Sequence, residues 1–303
     1  MTPPRTITDP IDIGKVAAPP LIRLPDPKVV FIRRADRLAR LAAGSAMADF
    51  LSFMASLGSA QSAALETLTA DIPSQAFPRQ GMTPLDRARW RPCRSWQRAL
   101  AVILDRLRAT PLTGKTRAAL ECLAGQDANV RDALAEKAVR FESGEAEPAR
   151  ACLAFAALQV WWTHRASLFA AKDVSLPEEG AAACPVCGSP PVSSIVHAAG
   201  SLAGVRFLVC SLCATQWHLV RIKCANCHST KGIAYLEIEG GDGLVKAETC
   251  DECRTYTKII YIEKDPHAEV FADDLATLRL DIMVDEAGWR RATPNPFLLP
   301  GGG

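Results

Sequence analysis

The chain has 303 residues, 49% of them hydrophobic and 22% charged, a balance suited to one large or two ordinary soluble domains with a sizeable core. Its 35 basic and 33 acidic side chains leave a formal charge of +2, which gives no global pull toward nucleic acid or an anionic membrane surface. Any partner has to be read from local features.

The first 27 residues, MTPPRTITDPIDIGKVAAPPLIRLPDP, scatter prolines among charges. Proline blocks helix interiors and biases the preceding residue toward extended conformations, so residues 1–27 are expected to form an extended arm. The segment lacks the apolar core and cleavage pattern of a signal peptide, and no later stretch reaches the roughly 18 apolar residues of a membrane span. A cytoplasmic location without membrane insertion is the expectation.

From Lys28 to about residue 175 the pattern is helical. Phe50, Met54 and Leu57 recur at helical spacing, and Trp96, Leu100, Ile103, Leu104 and Leu107 form a clearer stripe. A Pro- and Gln-rich loop is expected between Ala70 and Trp90. Val130, Leu134 and Phe141 suggest a further helix, and EPARACLAFAALQVWWTHRASLFAA reads as a buried central one with Pro148 in its first turn. Five or six helices make an all-α bundle. Trp161 and Trp162 point in different directions on such a helix, so at least one belongs to the core.

After DVSLPEEGAAA the grammar changes to short β-type runs between cysteine pairs. Eight of the 11 cysteines form Cys184/Cys187, Cys210/Cys213, Cys224/Cys227 and Cys250/Cys253. Adding 40 to each of the first four positions gives the second four, an internal duplication. In each copy two strand-like runs flank a glycine turn, and a hairpin of that kind brings its two knuckles together. A further extended run follows each second knuckle, so each copy is expected to hold a small three-stranded sheet.

Two facing C-x-x-C knuckles offer a tetrahedral cage of four sulfurs suited to zinc or iron. The simplest pairing is sequential: Cys184, Cys187, Cys210 and Cys213 on one ion, and Cys224, Cys227, Cys250 and Cys253 on the other. Alternating knuckles would break the symmetry of two 40-residue units. The fold class is therefore α+β and multidomain, an all-α domain (28–175) followed by two zinc-ribbon-like or rubredoxin-like units (182–223 and 224–265), with a C-terminal helix and tail (266–303). Units this small need the ion to hold their fold.

A thioredoxin-like use of the pairs requires a βαβ setting that the sequence lacks. A nucleic-acid ribbon is disfavoured by charge, since eight basic residues face seven acidic ones between 184 and 264 and two tetrathiolate sites would make the module acidic. His218 and His228 adjoin knuckles but are expected near the cages rather than on the ions. Cys93, Cys122 and Cys152 read as small buried hydrophobes.

In the tail, Leu275, Leu278 and Ile282 predict one helix ended by Gly288, with Asp273, Asp274 and Asp281 on a solvated face or at the helix dipole. NPFLLPGGG reads as a frayed end. No Ser/His/Asp order, phosphate loop or nucleotide fingerprint is present, so no catalytic residue is assigned.

RADRLARLA, ALQVWWTH, CPVCGSPP with its three companion knuckles, DDLATLRLD and NPF together resemble the FdhE family of formate dehydrogenase accessory proteins. The resemblance runs from about Lys28 to Phe297. It implies a cytoplasmic, non-enzymatic maturation factor that binds the catalytic subunit of respiratory molybdenum or tungsten formate dehydrogenase before export. It also implies two metal ions per chain, iron rather than zinc, in rubredoxin-like sites, and it suggests that DDLATLRLD touches the client or braces the domains. An iron-dependent electron-transfer protein is the alternative.

Overall fold

The computed structural model describes residues 19–68, 83–142, 148–176, 181–198, 200–293 and 295–298. Most of the expected arm, most of the Pro- and Gln-rich loop, and the last five residues lie outside that set. No helix among the described residues is long and apolar enough to cross a membrane.

Of the arm, Ile22–Arg23 forms a short strand, β1. Six α-helices follow: α1 (Val30–Ala42), α2 (Ala48–Glu66), α3 (Arg94–Arg108), α4 (Gly114–Gly125), α5 (Ala128–Arg140) and α6 (Pro148–Ala166). Helix α1 crosses α2 at Gly58, where a Cβ would stand 3.2 Å from the Ala35 Cβ. The Trp96-to-Leu107 stripe of α3 is buried, and its Trp96 Nε1 donates to Asp132 on α5 at 2.9 Å. Thr113 and Asp127 cap α4 and α5 by accepting the backbone N–H of Thr116 and Asn129.

Helix α5 differs from the expected stripe. Val130 is exposed, and the buried residues are Ala135, Ala138 and Val139, because small side chains let this helix lie close against α6. Helix α6 is central, with 14 of its 19 residues buried. Trp162 is buried, Trp161 partly so, and both rings pack on Trp90 at 5.1 and 6.2 Å.

The cysteine-rich half supplies β2 (Pro191–Val196), β3 (Arg206–Cys210), β4 (Gln216–His218), β5 (Ile233–Leu236), β6 (Val245–Cys250) and β7 (Thr255–Tyr261). Each copy builds its antiparallel three-stranded sheet. The copies are not self-contained, however: β2 and β7 pair in parallel, Ser194 with Ile259 through Val196 with Tyr261. One eight-stranded sheet results, in the order β1-β4-β3-β2-β7-β6-β5, with β8 (Arg290–Arg291) also on β7. A buried ion pair crosses the junction, Arg206 Nη2 to Glu248 Oε1 at 2.7 Å.

The tail corrects four expectations. It forms two helices, α7 (Val270–Ala276) and α8 (Leu278–Glu286), because the buried Lys258 ammonium takes the carbonyls of Asp274 and Thr277 at 2.9 and 3.0 Å, and its hold interrupts the helical ladder. Leu280 and Val284, not Ile282, pack against β6 and β7 through Ala247 and Tyr256. Asp273 and Asp274 are buried rather than solvated, while Asp273 and Asp281 do stand in the first turns of α7 and α8, as the dipole alternative expects. Asn295 and Phe297 are buried too, so the NPF segment is seated, with Phe297 against Phe155 and Phe271.

Helix α7 packs on α1 and on β2. Arg37 of α1 makes a two-pronged pair with Asp273, Nη2 to Oδ1 at 2.6 Å and Nε to Oδ2 at 3.1 Å, and its Nη1 reaches Asp265 at 2.6 Å. Arg34 lies over the Phe271 ring at 3.9 Å and donates to Gln159 of α6 at 2.9 Å.

Candidate metal centres

Each knuckle is a tight turn whose backbone aims both sulfurs at one point. In the first, Cys184 N donates to Ser189 O and Gly188 N to Cys184 O, both at 2.8 Å. In the third, Cys224 N to Ser229 O at 2.8 Å and His228 N to Cys224 O at 3.1 Å repeat the pattern 40 residues on. The turn needs a left-handed residue at its end: Gly188 has φ of 72° and His228 of 63°, while the second and fourth knuckles use Ala214 at 58° and Arg254 at 53°. Asparagine, aspartate and glycine accept that conformation readily, and other residues do so at a cost.

The hairpins bring the knuckles together in sequential pairs. Cys184 Sγ is 3.6 Å from Cys213 Sγ and Cys187 Sγ 3.4 Å from Cys210 Sγ. Cys224 to Cys253 and Cys227 to Cys250 both measure 3.7 Å. Within each quartet all ligand atoms lie within 4.8 Å of one another. Four thiolates roughly 2.3 Å from a tetrahedral ion stand about 3.8 Å apart, close to the distances across each quartet, so both quartets could hold an ion of that kind. His218, on β4, and His228 belong to neither quartet.

Groups around the sulfurs are aimed to stabilise thiolate. The backbone N–H groups of Leu212 and Cys213 donate to Cys210 Sγ at 3.3 Å, and those of Asn226 and Cys227 to Cys224 Sγ at 3.4 and 3.5 Å. Thr215 and Thr255, also 40 apart, place hydroxyls 3.1 Å from two further sulfurs: the Cys213 thiol donates to Thr215 Oγ1, while between Cys253 and Thr255 either group can donate. The 40-residue repeat thus carries the two threonines as well as the cysteines. Without an ion, burial pushes the Cys224 thiol up to about 12. Burial opposes ionisation of Cys253 as well, but hydrogen bonds from Thr255 and neighbouring cysteines bring it down to about 7. Loading an ion therefore expels protons.

The two cages differ in surroundings. All four cysteines of the first are buried, whereas in the second Cys227 is exposed and Cys253 half-buried. The cause lies in the helical half. Leu85 N and Arg87 N donate to Val186 O and Cys187 O at 2.8 and 3.0 Å, and Gln159 of α6 donates to Ser211 O at 2.7 Å. The first cage is thus clasped on both knuckles, while no such bond to the helices reaches the second among the described residues.

The remaining cysteines behave less uniformly than expected. Cys93 and Cys152 are half-buried, but Cys122 is exposed and accepts from Arg150 at 3.4 Å. At Cys152 burial pushes the thiol up to about 12, which suits an inert packing group.

Comparison with known proteins agrees with this architecture. Profiles described as FdhE N-terminal, FdhE central domain and FdhE C-terminal domain match residues 19–178, 183–221 and 222–298. The chain is 38% identical over 287 residues to a protein FdhE homolog of Serratia proteamaculans, covering 93% of this chain and 92% of the other. It is 39% identical over 293 residues to a homolog from Edwardsiella ictaluri, covering 95% and 94%. The crystal structure of the FdhE protein from Pseudomonas aeruginosa superimposes with a TM-score of 0.83 at 35% identity, over 93% of this chain and all of that one.

Proposed function

Because the chain belongs to the FdhE family of formate dehydrogenase accessory proteins, we propose that it binds the catalytic subunit of a formate dehydrogenase in the cytoplasm and supports its maturation. The observation that carries this reading is the match to all three FdhE regions in one chain, with both sulfur quartets assembled. The protein acts as a binding factor and not as an enzyme. Cys184, Cys187, Cys210 and Cys213 hold one ion, and Cys224, Cys227, Cys250 and Cys253 hold a second. In either cage zinc would act as a cross-link, and iron would add one-electron chemistry. The expected ion is iron.

Affinity capture tests the reading directly. Tagged protein expressed with a formate dehydrogenase catalytic subunit should retain that subunit through washing. A loaded, folded protein that fails to retain it would overturn the proposal.

A second reading, redox action on the client, draws on the contrast between the cages. The exposed Cys227 puts the second cage at the surface, and Val220 and Ile222, in the segment leading into its first knuckle, are each 60% exposed. Zinc in both cages of anaerobically purified protein would eliminate it.

A further inference from the structure

A cleft of about 210 Å³ opens where β1, the start of α1, the β2–β4 sheet and α7 meet, and its lining is rich in cations. Arg23 is the best placed of them. Its backbone is fixed by pairing of β1 with β4, Arg23 opposite Gln216. Its guanidinium lies 5.8 Å from the centre of the buried Phe207 ring. Nη1 donates to Gln216 Oε1 at 3.0 Å and meets His197 Nε2 at 2.7 Å. Nη1 carries only protons, so His197 Nε2 is the acceptor there, and the ring is neutral with its proton on Nδ1.

Those two bonds use both protons of Nη1. The Nε and Nη2 edge, the planar fork that fits a carboxylate or a phosphate group, has no hydrogen-bond partner among the described residues. Among the described residues no carboxylate lies within ion-pair distance of Arg23 or of Arg33, which is also on the cleft. The two acids of the cleft are engaged elsewhere. Asp26 accepts Lys28 N at 2.9 Å, and Glu269 accepts Ala272 N at 2.8 Å and faces Arg34 at 3.5 Å. A partly desolvated guanidinium held rigid with its fork open is a receptor awaiting a counter-ion.

We propose that this cleft binds a small oxyanion, a carboxylate or phosphate group, on the free fork of Arg23, with Arg33 as the second cation. A space of about 210 Å³ lies below the usual range for drug-sized ligands, which suits an anion of a few heavy atoms. The site uses none of the eight sulfurs, although Val209 and Ala214 on its wall adjoin Cys210 and Cys213 of the first cage, which is why the test uses metal-replete protein; it does not depend on client binding.

Calorimetric titration of the metal-replete full chain tests it, with sodium phosphate and sodium formate as probes at low ionic strength and chloride-matched blanks. Saturable binding of at least one probe is expected, weakened at least about tenfold in Arg23→Gln and measurably in Arg33→Gln. Preference for phosphate or for formate assigns the anion to a phosphate or a carboxylate source. Arg33 is exposed, so its variant keeps the test valid if Arg23→Gln loosens β1. No saturable heat with either probe, or affinity unchanged in both variants, would overturn the proposal. Failure of client capture would leave this result untouched.

Discussion

Arg37 and Asp273 clasp each other through two nitrogens and two oxygens across 236 residues of sequence, with both side chains buried. Removing Asp273 leaves Arg37 paired only with the partly exposed Asp265, so the loss is expected at or just below the about 3–5 kcal/mol typical of breaking a buried pair. Asp273→Ala should therefore lower denaturant stability on that scale and loosen α7 from α1. Circular dichroism during urea unfolding measures it, and a change under about 1 kcal/mol would contradict the buried pairing.

Asp274 is the hub of a second buried cluster. Arg291 Nη2, Asn295 Nδ2 and Lys258 Nζ reach it at 2.5, 2.8 and 3.4 Å. Burial alone would push its carboxyl up, but Lys258 and Arg291 outweigh that and hold it below the usual carboxylate range. A folded value below the unfolded one, about 3.9, means the stabilisation is complete above roughly pH 5 and fades as the pH falls through the folded value. The stability gap between wild type and Asp274→Asn should therefore be wide at pH 7 and narrow toward pH 3. Melting curves across that range, run as matched pairs, check the trend.

The cages should part company under a chelator. Purified protein is expected to hold two ions per chain, and the one bound through Cys227 should leave first. Cys227→Ser should lower the ion count toward one with a modest effect on melting, and Cys187→Ser should lower melting much further, because its cage is clasped by α6 and residues 85–87. Metal analysis beside calorimetric scans reads both quantities, and equal release rates from the two cages would refute the asymmetry.

Left-handed knuckle ends give a fourth expectation. A Cβ at Gly188 meets nothing nearer than 4.0 Å, so Gly188→Ala isolates backbone strain and should cost about 1–2 kcal/mol. His228→Gly, at the same place in the other copy, should be neutral or stabilising by up to about 1 kcal/mol. Thermal midpoints of the loaded protein decide the signs.

Much of this was legible in the residues. The 40-residue offset of the cysteine pairs placed the quartets, and the strong period of Trp96 through Leu107 placed a helix face. Periodicity misled at α5 and the tail, where the apparent stripes ended in exposed Val130 and Ile282. There the burial surface is set by partners distant in sequence, namely α6 for the first and β6 for the second. Lys258 breaking the tail helix could not be foreseen, since nothing local marks a lysine as fully buried. Nor could the parallel seam of β2 with β7, because each copy alone satisfies its own hairpin pattern.

The seating of the NPF segment bears on when the molecule can close. Phe297 fills a gap beside Phe155 and Phe271, Asn295 completes the shell of Asp274, and Arg37 waits for partners at 265 and 273. Until residues 265–297 have been made, the helical half of a nascent chain holds Arg37 without the partners it has in the fold. Closure thus waits on a distant segment, and deleting residues 295–298 should uncover Phe155, Phe271 and Asp274 together, which destabilises the helical half and the sheet at once.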